Sequence, residues 1–135
     1  MNIVETDYWC LMLPPEWSAE REDDVVLITD QDGIGELAIS TLIFENATSS
    51  FAPGSIARDE SPEVTGWASA TFGHFTGVVG QLREDATMIT EWYLAHRTAL
   101  LYCTYACDEE DDGMDAAAVE EILATLVPGD ALVEA

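Results

Sequence analysis

The side chains able to carry chemistry in this 135-residue chain fall into a few small groups. Cys103 and Cys107 stand four residues apart, with Cys10 far upstream. On a helix that spacing suits two thiolates on one zinc ion. On a strand four residues span about 13 Å, too far for one metal at ~2.3 Å per sulfur or for a disulfide. The segment Leu100-Leu-Tyr-Cys-Thr-Tyr105 is a good strand and a poor helix, so buried, reduced, structural thiols are expected. The odd cysteine count also argues against a disulfide framework. His74 and His96 fall at predicted strand ends. Imidazoles there are able to carry protons, yet no Ser or Cys lies beside them in a nucleophile motif, so both read as exposed turn residues. Gly33-Ile-Gly35-Glu-Leu-Ala38 matches a dinucleotide-binding string, but that chemistry needs a helix after the glycines to hold the pyrophosphate. The residues after these glycines alternate like a strand, so the string reads as a hairpin.

The acidic run Asp108, Glu109, Glu110, Asp111 and Asp112, with Gly113 next, resembles the start of a calcium loop. The bidentate acid such a loop needs falls on Val119, which cannot ligate, and Glu120 comes one residue late. The run therefore reads as a solvated loop that caps the next helix. Its five acids are the candidate partner-binding residues. No stoichiometric metal, nucleotide or other cofactor is expected. Among 27 Asp and Glu, any chosen pair of carboxylates is uninformative about acid–base catalysis, because a general acid needs burial to raise its pKa.

Charge limits the partners. The 27 acids face four Arg and no Lys, for a net charge of −23. Nucleic-acid phosphates and anionic membranes are repelled, and a protein partner has to be basic, with an association rate that falls as salt rises. The same composition would also suit a protein adapted to high internal salt. With 48% apolar residues the chain is long and apolar enough for one core, hence a single domain over 1–135. Its longest apolar runs fall far short of the ~20 residues of a membrane span. The start, Met-Asn-Ile-Val-Glu-Thr-Asp, lacks the basic and apolar regions of a leader, which predicts a cytoplasmic address.

These groups must be carried by the elements that the pattern predicts. A first strand over 8–13 stops at Pro14-Pro15, and Trp17 plugs one end of the core. A polar stretch, 18–24, precedes a strand over 25–29. Asp30-Gln31-Asp32-Gly33 turns it into a return strand over 36–45, with Leu37, Ile39, Thr41 and Ile43 on one face. The stretch 46–63 is irregular, with one short helix around 55–60. Further strands cover 65–72, 75–83, 87–95 and 98–107, the last two tightly linked through His96-Arg97. Over 114–127 the period becomes helical: Met114, Ala118, Val119, Ile122, Leu123 and Leu126 form one stripe, and Pro128-Gly129 stops it. The four Trp read as core. The sum is an α+β domain: an antiparallel six- to seven-stranded meander sheet with a C-terminal helix packed on one face.

That order, opening on Leu-Pro-Pro-Glu-Trp17 and closing on Leu-Leu-Tyr102-Cys-Thr-Tyr105 and a last helix, resembles the PsbP-like fold. It is shared by the extrinsic oxygen-evolution protein of photosystem II, a nucleotide-release factor of the Ran GTPase, and small bacterial proteins. The resemblance implies a domain that binds other proteins and is not an enzyme; it carries over no functional residue. A small hydrolase or lyase using carboxylates with His74 or His96 is the alternative.

Overall fold

Ten strands pair into two antiparallel sheets in the computed structural model, which describes residues 2–44 and 52–133. The chain opens with β1 (Asn2–Glu5), β2 (Trp9–Leu13), β3 (Trp17–Glu22), β4 (Val25–Asp30) and β5 (Gly35–Ile43). Helix α1 (Pro53–Glu60) leads into β6 (Ala68–Phe72), β7 (Phe75–Glu84), β8 (Thr87–His96) and β9 (Ala99–Asp108). A 3₁₀ turn over Glu109–Asp111 precedes α2 (Ala116–Ala124), β10 (Val127–Pro128) and α3 (Asp130–Val133).

The large sheet runs β3-β4-β5-β9-β8-β7-β6. It consists of two meanders, joined where β5 lies beside β9 over a nine-residue register from Gly35 opposite Cys107 to Ile43 opposite Ala99. Period-two alternation gives the sheet two different faces. Val26, Ile28, Leu37, Ile39, Leu101 and Cys103 point into the main core. Over them lie α2, through Val119, Ile122 and Leu123, and the small sheet β1-β2-β10, through Trp9, Leu11 and Leu13. The indole N–H of Trp9 donates to Thr41 Oγ1 at 2.9 Å, tying the small sheet to the large one. On the opposite face α1, begun by a proline where the helix needs no N–H donor, sets Ala57 against Tyr93 and Leu100.

The seven-stranded antiparallel sheet with a helix on one face is as expected, as are the hairpin at Asp30–Gly33 and the short helix before the second meander. Several details differ. Residues 8–13 do not start the large sheet; β2 belongs to the small one. The polar stretch after Trp17 is itself strand β3, at a sheet edge, where outward acids leave no apolar alternation to read. The link between β8 and β9 is Arg97-Thr98 rather than His96-Arg97, which sets Tyr93 opposite Tyr102. Helix α2 is shorter than the stripe. Met114 precedes it and is 63% exposed, because the chain is still turning there. After α2 the chain does not simply stop: Val127–Pro128 pairs with β2. Of the irregular stretch, 46–51 lie outside the described residues.

Candidate functional site

The acidic run is held by the far ends of β7 and β8. The Glu109 amide donates to the Ala86 carbonyl at 2.8 Å, and Arg83 pairs with Glu109 at 3.0 Å. Gln81 Nε2 reaches Asp112 at 3.5 Å. Asp108, Glu109, Glu110 and Asp112 are exposed and Asp111 is half-buried, so this end of the sheet presents its carboxylates to solvent. The expected helix capping is not made by a side chain. Asp115, at the N-cap position, instead accepts the Tyr105 hydroxyl at 2.6 Å. Burial, then that hydrogen bond and the Asp115 charge, pushes the Tyr105 phenol well up.

Cys103 and Cys107 lie on β9 and both are buried, while Cys10 is half-buried. Burial raises all three thiols above their ordinary 9.0. For Cys107 the carboxylates of Asp112, Asp111 and Asp108 add to the effect of burial. Each thiol is thus held more firmly in its protonated form than it would be in water. The histidines meet at one end of the sheet, where His96 Nδ1 lies 3.0 Å from the His74 carbonyl and the rings are 6.1 Å apart. Among the described residues no three His, Cys, Asp or Glu side chains converge as metal ligands.

The pattern of residue types did not single out Glu91. It stands in the middle of β8, between β7 and β9, and is only 5% exposed. Its Oε2 accepts the Tyr102 hydroxyl at 2.9 Å; its Oε1 is buried with no partner. Beside it Tyr93 shares a 2.8 Å hydrogen bond with Ser61, and the Tyr93 and Tyr102 rings lie 4.9 Å apart, tilted by 47°. These groups line a cavity of ≈ 570 Å³ beside α1, walled by Leu42, Phe44 and Ile56 and flanked by Glu60 and Glu63. Burial raises the Tyr102 phenol, helped by its hydrogen bond to Glu91 and the Glu91 charge. Tyr93 is raised by burial and then, against the Ser61 hydrogen bond, by the charges of Glu91, Glu60 and Glu63. Both hydroxyls therefore stay neutral near pH 7. The Trp67 N–H is also buried without an acceptor.

The sequence signal for this site is a single charge, Glu91, inside the apolar strand Thr87–His96. It is lost in a chain with 27 acids until the sheet order shows that β8 is internal. Glu91 is also five residues from His96 on the same strand, about 17 Å. The buried carboxylate and the imidazoles therefore do not form one catalytic group.

No protein-family model matches the chain, and no curated protein sequence does. Solved structures do. A protein of Bacteroides thetaiotaomicron matches with a TM-score of 0.68 at 17% identity, over 89% of this chain; the match spans only 44% of that protein's length. Cyanobacterial PsbP (CyanoP) of Synechocystis matches with a TM-score of 0.64 at 9% identity, over 94% of this chain and 91% of its own. LpqN of Mycobacterium tuberculosis, a protein involved in cell envelope biogenesis, matches with a TM-score of 0.59 at 12% identity, over 90% and 83%. At these identities the likeness is one of fold. Among the described residues no helix is long and apolar enough to cross a membrane.

Proposed function

We propose that this chain, which has the PsbP-like fold, is a non-enzymatic binding domain whose protein partner presents a basic surface. One observation carries the reading: among the described residues Arg83–Glu109 is the single ion pair, in a chain of net charge −23. Carboxylates that are not neutralised within the chain are free to neutralise a partner. Charge complementarity of this kind sets the rate and selectivity of encounter more than the final affinity. The docking end is the acidic run at 108–112. A second acidic end, where Asp7, Asp23, Asp24 and Asp130 surround a groove of ≈ 350 Å³, lies across the sheet and serves as the control. The protonated thiols and the distance between Glu91 and His96 support binding over turnover, and the cytoplasmic address remains part of the proposal.

The test uses basic proteins captured on the immobilised chain at low salt, each then titrated singly against it. A partner that fits the reading binds one to one, with an on-rate that falls steeply between 0.05 and 0.5 M NaCl. Changing Asp108, Glu109, Glu110, Asp111 and Asp112 together to their amides slows that rate at least tenfold, whereas neutralising Asp7, Asp23, Asp24 and Asp130 has a small effect. Equal losses from the two variants would mean that bulk charge alone is at work, and the reading would fail.

A further inference from the structure

We infer that the cavity beside α1 binds a primary alkylammonium group, with Glu91 as the accepting carboxylate. The inference does not depend on the acidic run, which sits at the end of the sheet, outside this cavity.

A carboxylate 5% exposed on a central strand is costly unless its oxygens are satisfied, and here Tyr102 satisfies only Oε2. The buried, unpartnered Oε1 calls for a donor from outside the chain. Among the described residues that line the cavity the charged groups are Glu60, Glu63 and Glu91, all of one sign, which disfavours an anion. A neutral apolar ligand would leave Oε1 unsatisfied, and a quaternary ammonium has no N–H to give. A guanidinium prefers a two-pronged fit to both carboxylate oxygens, but Tyr102 already occupies one. An ammonium is a compact point donor that needs a single open oxygen. Tyr93, Ser61 and Tyr102 line the same cavity, so hydroxyl oxygens are available to its other N–H groups and phenol rings to its charge. Leu42 and Ile56 then receive an aliphatic stem. A volume of ≈ 570 Å³ is in the ordinary range for a small-ligand site.

Two sources offer this chemistry: a lysine side chain of a protein, or a free small amine. The probes are n-pentylamine for the free amine and Nα-acetyl-lysine methylamide for the side chain. Both are titrated by calorimetry at 0.15 M and 1 M NaCl, where the screening length falls from ~8 to ~3 Å and loose attraction to the acidic surface disappears. The expected result is saturable binding at one site that survives 1 M salt and weakens at least tenfold in Glu91→Gln. Pentyltrimethylammonium, which cannot donate, binds at least tenfold more weakly than pentylamine. If the blocked lysine binds as well as pentylamine, the source is a protein side chain; if only pentylamine binds, it is a free amine. Should Glu91→Gln fail to fold, Leu42→Arg, at a residue 50% exposed beside the cavity, places a competing cation there and has to abolish binding. Binding of neither amine, or unchanged binding in a folded Glu91→Gln or Leu42→Arg, overturns the inference.

Discussion

Gly73 and Gly33 both have left-handed backbones, with φ of +60° and +67°, yet replacing each by alanine should have very different costs. A Cβ at Gly33, in the turn between β4 and β5, meets nothing within 4 Å. There the penalty is the left-handed strain of about 1–2 kcal/mol, partly offset by ~0.4–1 kcal/mol of lost unfolded-state entropy, for a net of about 1 kcal/mol. A Cβ at Gly73, in the turn between β6 and β7, would overlap the Leu126 carbonyl oxygen. Ordinary contact distances start near 3.4 Å, so either the turn or the link between α2 and β10 must move away. Leu126 is wholly buried, and loosening it forfeits part of the ~2–5 kcal/mol that removing a buried leucine side chain costs. Gly73→Ala should therefore lose about 3 kcal/mol, roughly 10 °C in Tm, against about 1 kcal/mol for Gly33→Ala. Urea titrations monitored by tryptophan fluorescence measure both. Equal losses would refute the reasoning, because they would mean that Leu126, in the link after α2, does not lie against this turn.

Ile122→Asp, which places an unpaired charge at a position 1% exposed on the core-facing side of α2, should leave the chain unfolded by circular dichroism; a native melt in that variant would place the helix elsewhere. Raising the pH should destabilise the protein. Cys103, Tyr102 and Tyr105 hold their protons more tightly folded than unfolded, so their contribution is full below the unfolded thiol value of 9.0 and is lost as pH climbs toward the folded values. Fully buried Cys103 alone gives a slope approaching ~1.4 kcal/mol per pH unit. Melting under reducing conditions should be insensitive to these groups from pH 7 to 8.5 and fall clearly by pH 10.5; a Tm unchanged to pH 10.5 would contradict the burial of these residues.

The second meander is the most legible part of the fold, because its apolar runs are long and its turns short. Expected strand starts at Phe75 and Thr87 coincide with those of β7 and β8. The α2 stripe is right at Val119, Ile122, Leu123 and Leu126, all buried, and fails only at Met114, where periodicity says nothing about the turn that precedes the helix. Elements with little apolar surface of their own escape. Strand β3 exposes four of its six residues, β10 is a two-residue bridge, and β1 buries only Val4. The acidic run is legible as a surface feature because five successive acids have few other places to go. The Glu91 cavity is not. Its groups come from β5, α1, β8 and β9, and the facing of Tyr93 and Tyr102 depends on which two residues make the hairpin turn.

The proposed function stands on a surface whose negative charges are not neutralised within the chain, and thermal melting against NaCl concentration tests that claim most directly. Added salt shortens the screening length from ~10 Å at 0.1 M to ~3 Å at 1 M and so relieves repulsion among exposed carboxylates. With one ion pair among the described residues and a net charge of −23, Tm should rise by several degrees between low salt and 1 M NaCl. A Tm that is flat or falls with salt would show that the acids are already paired or hydrogen-bonded, leaving no unmet charge for a basic partner to satisfy.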